Sequence, residues 1–135
     1  MLLFVAWAVA MISTAGSLFL SEVMDYVPCI LCWYQRIPMY ALAVILGIAL
    51  WTQDKTVVRY GQPLALIGAA LAAFHCLLYL GLIPKGIQPC SQAVPCGDIK
   101  LHLWGFVTIP LMSLAAFMTI AFALFLLERR IYEEK

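Results

Sequence analysis

Charge is what this sequence has least of. Only 11% of its 135 residues are Asp, Glu, Lys or Arg, while 65% are hydrophobic, and the mean hydropathy is +0.99. A soluble domain carries about a quarter charged residues, and a small one needs polar cover because its surface is large for its volume. Water therefore cannot be the main solvent, and lipid takes its place. The net charge of +1 supplies no strongly basic face and so excludes a nucleic-acid partner. Internal repeats and low-complexity tracts are absent, and the length leaves room for one compact domain. The first apolar run has no basic start and is long for the apolar core of a signal peptide, so it reads as a retained helix.

Apolar runs are what the sequence has instead. A spanning helix needs about 20 mostly apolar residues, and four stretches come close, over residues 2–20, 28–51, 63–82 and 103–127. In lipid only helices or closed barrels satisfy every backbone group. These runs are apolar on all sides and far longer than barrel strands, so the fold class is all-α: an integral membrane four-helix bundle, with residues 1–135 as a single domain. Gly16, Gly47, Gly68 and Gly81 are expected at close helix contacts. Lys55 and Arg59 in the middle connection, with Arg129, Arg130 and Lys135 in the tail, place those segments and both termini in the cytoplasm by the positive-inside rule. Lys85 and Lys100 oppose that bias, which is modest. Residues 21–27 and the long Pro- and Gly-rich connection 83–102, between helices 3 and 4, then face outward.

The topology sorts the five cysteines. Cys29 and Cys32 form PCILC at the outer end of the second helix. Cys90 and Cys96 lie in the outward-facing loop, and Cys76 sits alone in the third helix. All four paired cysteines fall on the side where disulfides persist. A disulfide stabilises mainly by closing a loop, and Cys-x-x-Cys closes almost none, so its use is redox exchange or metal binding. Pro28 suits a first helical turn, which puts the pair at a positive dipole end that favours thiolate. Arg36, four residues after Cys32, lies on nearly the same face. A charge so deep in an apolar helix is a functional candidate. Two readings are open for it, a counter-cation to a thiolate or a side chain snorkelling to headgroups. The Cys90–Cys96 ring closed around SQAVP would contribute about 2 kcal/mol by loop entropy. It reads as a staple or as a platform for attack by another protein's thiolate, and the second pair on the same side tips the balance to exchange. His75 lies about 10 Å below the outer end of the third helix by rise per residue, a depth comparable to Arg36. The two either share a pocket, or His75 is satisfied by a neighbouring helix. Cys76 reads as a small buried hydrophobe, Trp33 and Tyr34 as interfacial aromatics, and His102 as interfacial.

The string PCILCWYQR at the head of a second helix, four spans, and a Pro-rich outer loop with Cys-x5-Cys together resemble the DsbB family. The likeness is closest to its short form, BdbC, and covers nearly the whole chain. The resemblance implies a thiol:quinone oxidoreductase of the bacterial cell membrane that reoxidises a thioredoxin-like thiol oxidase of the DsbA or BdbD type. It implies that Cys90 and Cys96 exchange with that partner, that Cys29 and Cys32 are the quinone-proximal pair, and that Arg36 serves quinone use, with His75 near the quinone. The cofactor would be menaquinone or ubiquinone, with no resident metal. The relay from a DsbA-type protein through DsbB to quinone is a known worked system. The short spacing in the loop pair departs from the longer DsbB form. Vitamin K epoxide reductases carry their Cys-x-x-Cys late in the chain, and here it comes first. Two rivals stand beside this reading. Four cysteines on one side could hold tetrahedral Zn2+, although Cys-x5-Cys is wider than usual ligand spacing. Alternatively the chain is a disulfide-stapled scaffold without catalysis.

Overall fold

The computed structural model describes residues 1–25, 29–87 and 108–135. Four helices carry the fold: α1 over Leu2–Glu22, α2 over Ile30–Thr52, α3 over Val58–Tyr79 and α4 over Ile109–Glu133. Each is long and apolar enough to cross a membrane, and no strand occurs among the described residues. α1 packs on α2 and α4, and α3 packs on α2 and α4. The all-α four-helix architecture is therefore as expected. Its outer surface is apolar, with Ile12, Ile37, Val44, Ile48 and Phe122 all more than half exposed. In water that surface would be prohibitive, whereas in lipid it is the solvated face.

The core explains the closeness of the helices. Phe117, Leu42, Leu46, Ile120 and Leu124 are fully buried, and small residues opposite them let the backbones approach. A Cβ on Gly68 would collide with the Phe117 ring, and one on Gly47 would lie 2.9 Å from Trp7 Nε1. These two glycines sit at close contacts as expected. The other two do not. Gly16 has open space around it because it lines a cavity. Gly81 has φ +74° and ends α3: its N–H donates to the Leu78 carbonyl and that of Leu82 to the Leu77 carbonyl. That bonding pattern is a Schellman cap, for which glycine is the usual residue.

Helix ends differ from the apolar runs because lipid contact and helical bonding obey different rules. α3 begins at Val58, five residues before Pro63, after a 3-10 turn over Lys55–Val57 that Asp54 caps by accepting the Thr56 N–H at 2.8 Å. Pro63 thus lies inside the helix rather than at its start. α4 runs on to Glu133, because a helix satisfies its own backbone in water as well as in lipid. Lys55 Nζ meets Glu134 Oε2 at 3.1 Å, so the α2–α3 connection and the C-terminus lie at the same end of the bundle. Cys29 lies at the opposite end.

Candidate functional site

Among the described residues a hydrogen-bonded polar cluster interrupts the apolar interior, and all four helices contribute to it. Cys29 immediately precedes α2 with extended backbone (φ −68°, ψ 165°), and its carbonyl accepts the Trp33 N–H at 3.2 Å. Its fully buried sulfur therefore stands at a helix N-terminus. Cys32 comes one turn later on the same face, with Sγ 3.0 Å from Cys29 Sγ. From α3, His75 brings Nε2 to 3.8 Å from Cys29 Sγ. Cys29, one residue outside the spanning helix, is held well below the usual thiol range. The hydrogen bond with Cys32 is the main cause and His75 adds to it, against the desolvation of burial. The two sulfurs and His75 Nε2 lie within 4.8 Å of one another, a grouping that soft metal ions also accept.

Gln35 ties three helices together. Its Oε1 accepts from Ser113 Oγ of α4 at 2.7 Å, while its Nε2 lies 3.1 Å from His75 Nδ1 and 3.5 Å from the Leu71 carbonyl, both on α3. Arg36 is rotated about 100° further round the helix and reaches α1 instead. Its Nε donates to Ser17 Oγ and its Nη2 to the Ser17 carbonyl, both at 2.9 Å. The guanidinium carbon lies 5.2 Å from the Trp33 ring centroid, a cation–π distance. Arg36 is only 9% exposed, and a charge that buried persists only with such partners. Two of its five donors are thereby used.

A cavity of about 310 Å³ opens between α1, α2 and α4. Cys32, Gln35 and Arg36 line its polar side, and Ile12, Met39 and Met112 its apolar side. An apolar enclosure with a few convergent polar groups is how small-molecule sites are built. In this enclosure an always-charged donor, Arg36, stands beside a thiol, Cys32. A larger cleft of about 590 Å³, between α1 and α2, is lined by such residues as Met11, Leu18, Val44 and Ile48 and contains no cysteine. It is a groove on the lipid side and lies away from the sulfurs.

The structure brings Cys29, Cys32 and His75 together and places Arg36 on the same cavity as Cys32. It does not put His75 on that cavity. Arg36 spends its hydrogen bonds on Ser17, and the ring that meets Cys29 Sγ is that of His75. Trp33, read from sequence as an interfacial aromatic, also covers Arg36. Cys76 is partly buried in α3 with a free thiol. Cys90, Cys96 and His102 lie outside the described residues, as does Pro28. Sequence reasoning passed over Gln35, Ser17 and Ser113. Gln35 had a usable signal, since an amide is costly in an apolar helix. Serines carry almost none, because they are common wherever helices approach.

Comparison with known proteins follows the same direction. Residues 1–127 match the family described as disulfide bond formation protein DsbB. The chain is 51% identical over 130 residues to a probable disulfide formation protein of Metapseudomonas resinovorans, covering 96% of this chain and 90% of that one. It is 44% identical over 126 residues to disulfide bond formation protein C of Bacillus subtilis (strain 168), covering 93% and 91%. A probable disulfide formation protein of Coxiella burnetii (strain Dugway 5J108-111) is 37% identical over 126 residues. No solved structure matches the chain.

Proposed function

This chain belongs to the DsbB family of disulfide bond formation proteins, and on that premise we propose that it passes electrons from an extracytoplasmic thioredoxin-like thiol oxidase to membrane quinone. It is a multi-pass membrane oxidoreductase of disulfide formation. The observation that carries the proposal is the cavity at Cys32. There a thiol 3.0 Å from its partner sulfur shares a small amphipathic enclosure with the buried cation Arg36.

In this reading the cysteine end of the bundle faces outward, and the end with the Lys55–Glu134 pair faces the cytoplasm, in keeping with the basic tail. A partner thiolate attacks the Cys90–Cys96 disulfide, forming a mixed disulfide and releasing one loop thiolate. The partner's second thiolate resolves it, leaving the partner oxidised and the loop as a dithiol. The loop dithiol then reduces a Cys29–Cys32 disulfide by the same exchange, with a thiolate as attacking group at each step. The size and mixed lining of the cavity fit a flat, amphipathic ring of the quinone type, which Cys32, Gln35 and Arg36 would hold and which would supply the oxidising power by accepting two electrons and two protons overall. The protein's part is orientation and charge. The helix N-terminus and His75 stabilise charge on Cys29, and Arg36 offers donors where negative charge grows on a bound ring. The direction is downhill, because 30 mV is about 1.4 kcal/mol for a two-electron couple and quinones lie well above most dithiols.

The test is anaerobic turnover in detergent with a reduced thioredoxin-like dithiol protein and a soluble quinone analogue, followed by quinone absorbance. Catalytic quinone loss is expected in the wild type and none in Cys29→Ser. Absence of turnover with several dithiol partners and both quinone types, or turnover that survives Cys29→Ser, refutes the proposal.

A further inference from the structure

The amide of Gln35 has only one orientation that satisfies all its neighbours. The Leu71 carbonyl, 3.5 Å away, can only accept, so the atom facing it must be the NH2 group. The opposite face of the amide is then oxygen, and it accepts the Ser113 hydroxyl at 2.7 Å. The second N–H of the same NH2 group points at His75 Nδ1, 3.1 Å away. A proton on Nδ1 would set two donors against each other. Nδ1 must therefore accept, and the single proton of a neutral imidazole must sit on the other nitrogen. That nitrogen, Nε2, lies 3.8 Å from Cys29 Sγ. Gln35 is 6% exposed and His75 3%, so water does not compete readily for these groups.

We propose that Gln35, held by Ser113 and the Leu71 carbonyl, is a positioning residue that sets the tautomer of His75 so that Nε2–H faces Cys29 Sγ as a hydrogen-bond donor. This deepens the reading of Cys29 and Cys32 as the redox pair and rests on it for its purpose, although the tautomer itself does not depend on turnover. The arrangement gives the site a fixed polarity. A donor faces the sulfur that must carry negative charge, and a ring nitrogen that bears a proton cannot ligate a metal. Nothing in the residue types alone requires this, because a carboxylate at position 35 would accept from Nδ1–H and leave Nε2 bare.

The experiment is nitrogen-15 NMR of histidine-labelled, reduced protein in detergent at neutral pH. The chain has two histidines, so a His102→Gln sample assigns the spectrum. In the wild type His75 should show an unprotonated Nδ1, with its downfield shift, and a protonated Nε2. A protonated Nδ1 in the wild type overturns the proposal, and that measurement needs no variant to fold. In Gln35→Glu the Nδ1 signal should move to the protonated position, and an unchanged His75 pattern in a folded variant also overturns it. These readouts report the proton's place whether or not the protein reduces quinone, so failure here and failure of the oxidase reading are separable.

Discussion

Replacing Gly68 with Ala tests the link between helix packing and the cavity. The three atoms nearest a Cβ at this position all belong to the Phe117 ring, and all are closer than the roughly 3.5–4 Å at which non-bonded carbons rest. Phe117 is fully buried and lines the same cavity as Cys32 and Arg36. The ring must shift, and the open side available to it is the cavity. Overpacking of a tight core costs about 1–3 kcal/mol, and the gain from Gly to Ala within a helix returns about 0.5–1 kcal/mol. The net runs from about 0 to 2.5 kcal/mol of destabilisation, centred on about 1 kcal/mol, or a fall in Tm of about 5 °C for a chain of this size. Thermal unfolding in detergent measures it. The double variant Gly68→Ala with Phe117→Leu should recover at least about 0.5 kcal/mol, since residues in contact couple by that much or more. In the oxidase assay the single variant should raise the KM for a quinone analogue more than it lowers kcat. A Gly68→Ala protein more stable than wild type, with an unchanged KM, would refute the reasoning.

Two further predictions follow from the site and from the opposite end of the bundle. Arg36→Met should lower quinone reduction by at least about tenfold, the loss of one charge-assisted interaction, while thiol exchange between a partner protein and Cys90–Cys96 stays within about twofold. Stopped-flow assays of the two half-reactions separate them, and equal loss of both contradicts this division of labour. At the other end, the Asp54 carboxyl lies below its ordinary value of 3.8 because the Thr56 hydrogen bonds, and then that of Tyr60, favour the carboxylate. A depressed carboxyl contributes stability above the unfolded value, and that contribution is lost as pH falls through the folded one. The Tm of the wild type should therefore fall more than that of Asp54→Asn on acidification below about pH 4, and parallel curves would show that Asp54 adds nothing.

The amino-acid sequence by itself determined the solvent, the helix class and the number of crossings, because hydropathy is summed along a segment and needs no knowledge of what lies beside it. It also marked Cys29, Cys32 and Arg36, since a Cys-x-x-Cys pair and a charge within an apolar helix stand out against their background. The family could be read there too, from PCILCWYQR and the loop spacing. Helix ends were less legible. Apolar runs stop where lipid stops, whereas α3 starts at Val58 and α4 continues to Glu133 because backbone bonding continues into water. The faces of the helices were not legible at all. These segments are apolar all round, so periodicity carries no record of which side meets which neighbour. Only the tertiary structure turned Arg36 towards Ser17 on α1 and the adjacent Gln35 towards Ser113 and His75. It alone showed Gly68 under Phe117 and Gly16 open to a cavity. A polar group in an apolar bundle must find its partner across a helix interface, and the partner's position depends on how all four helices pack together.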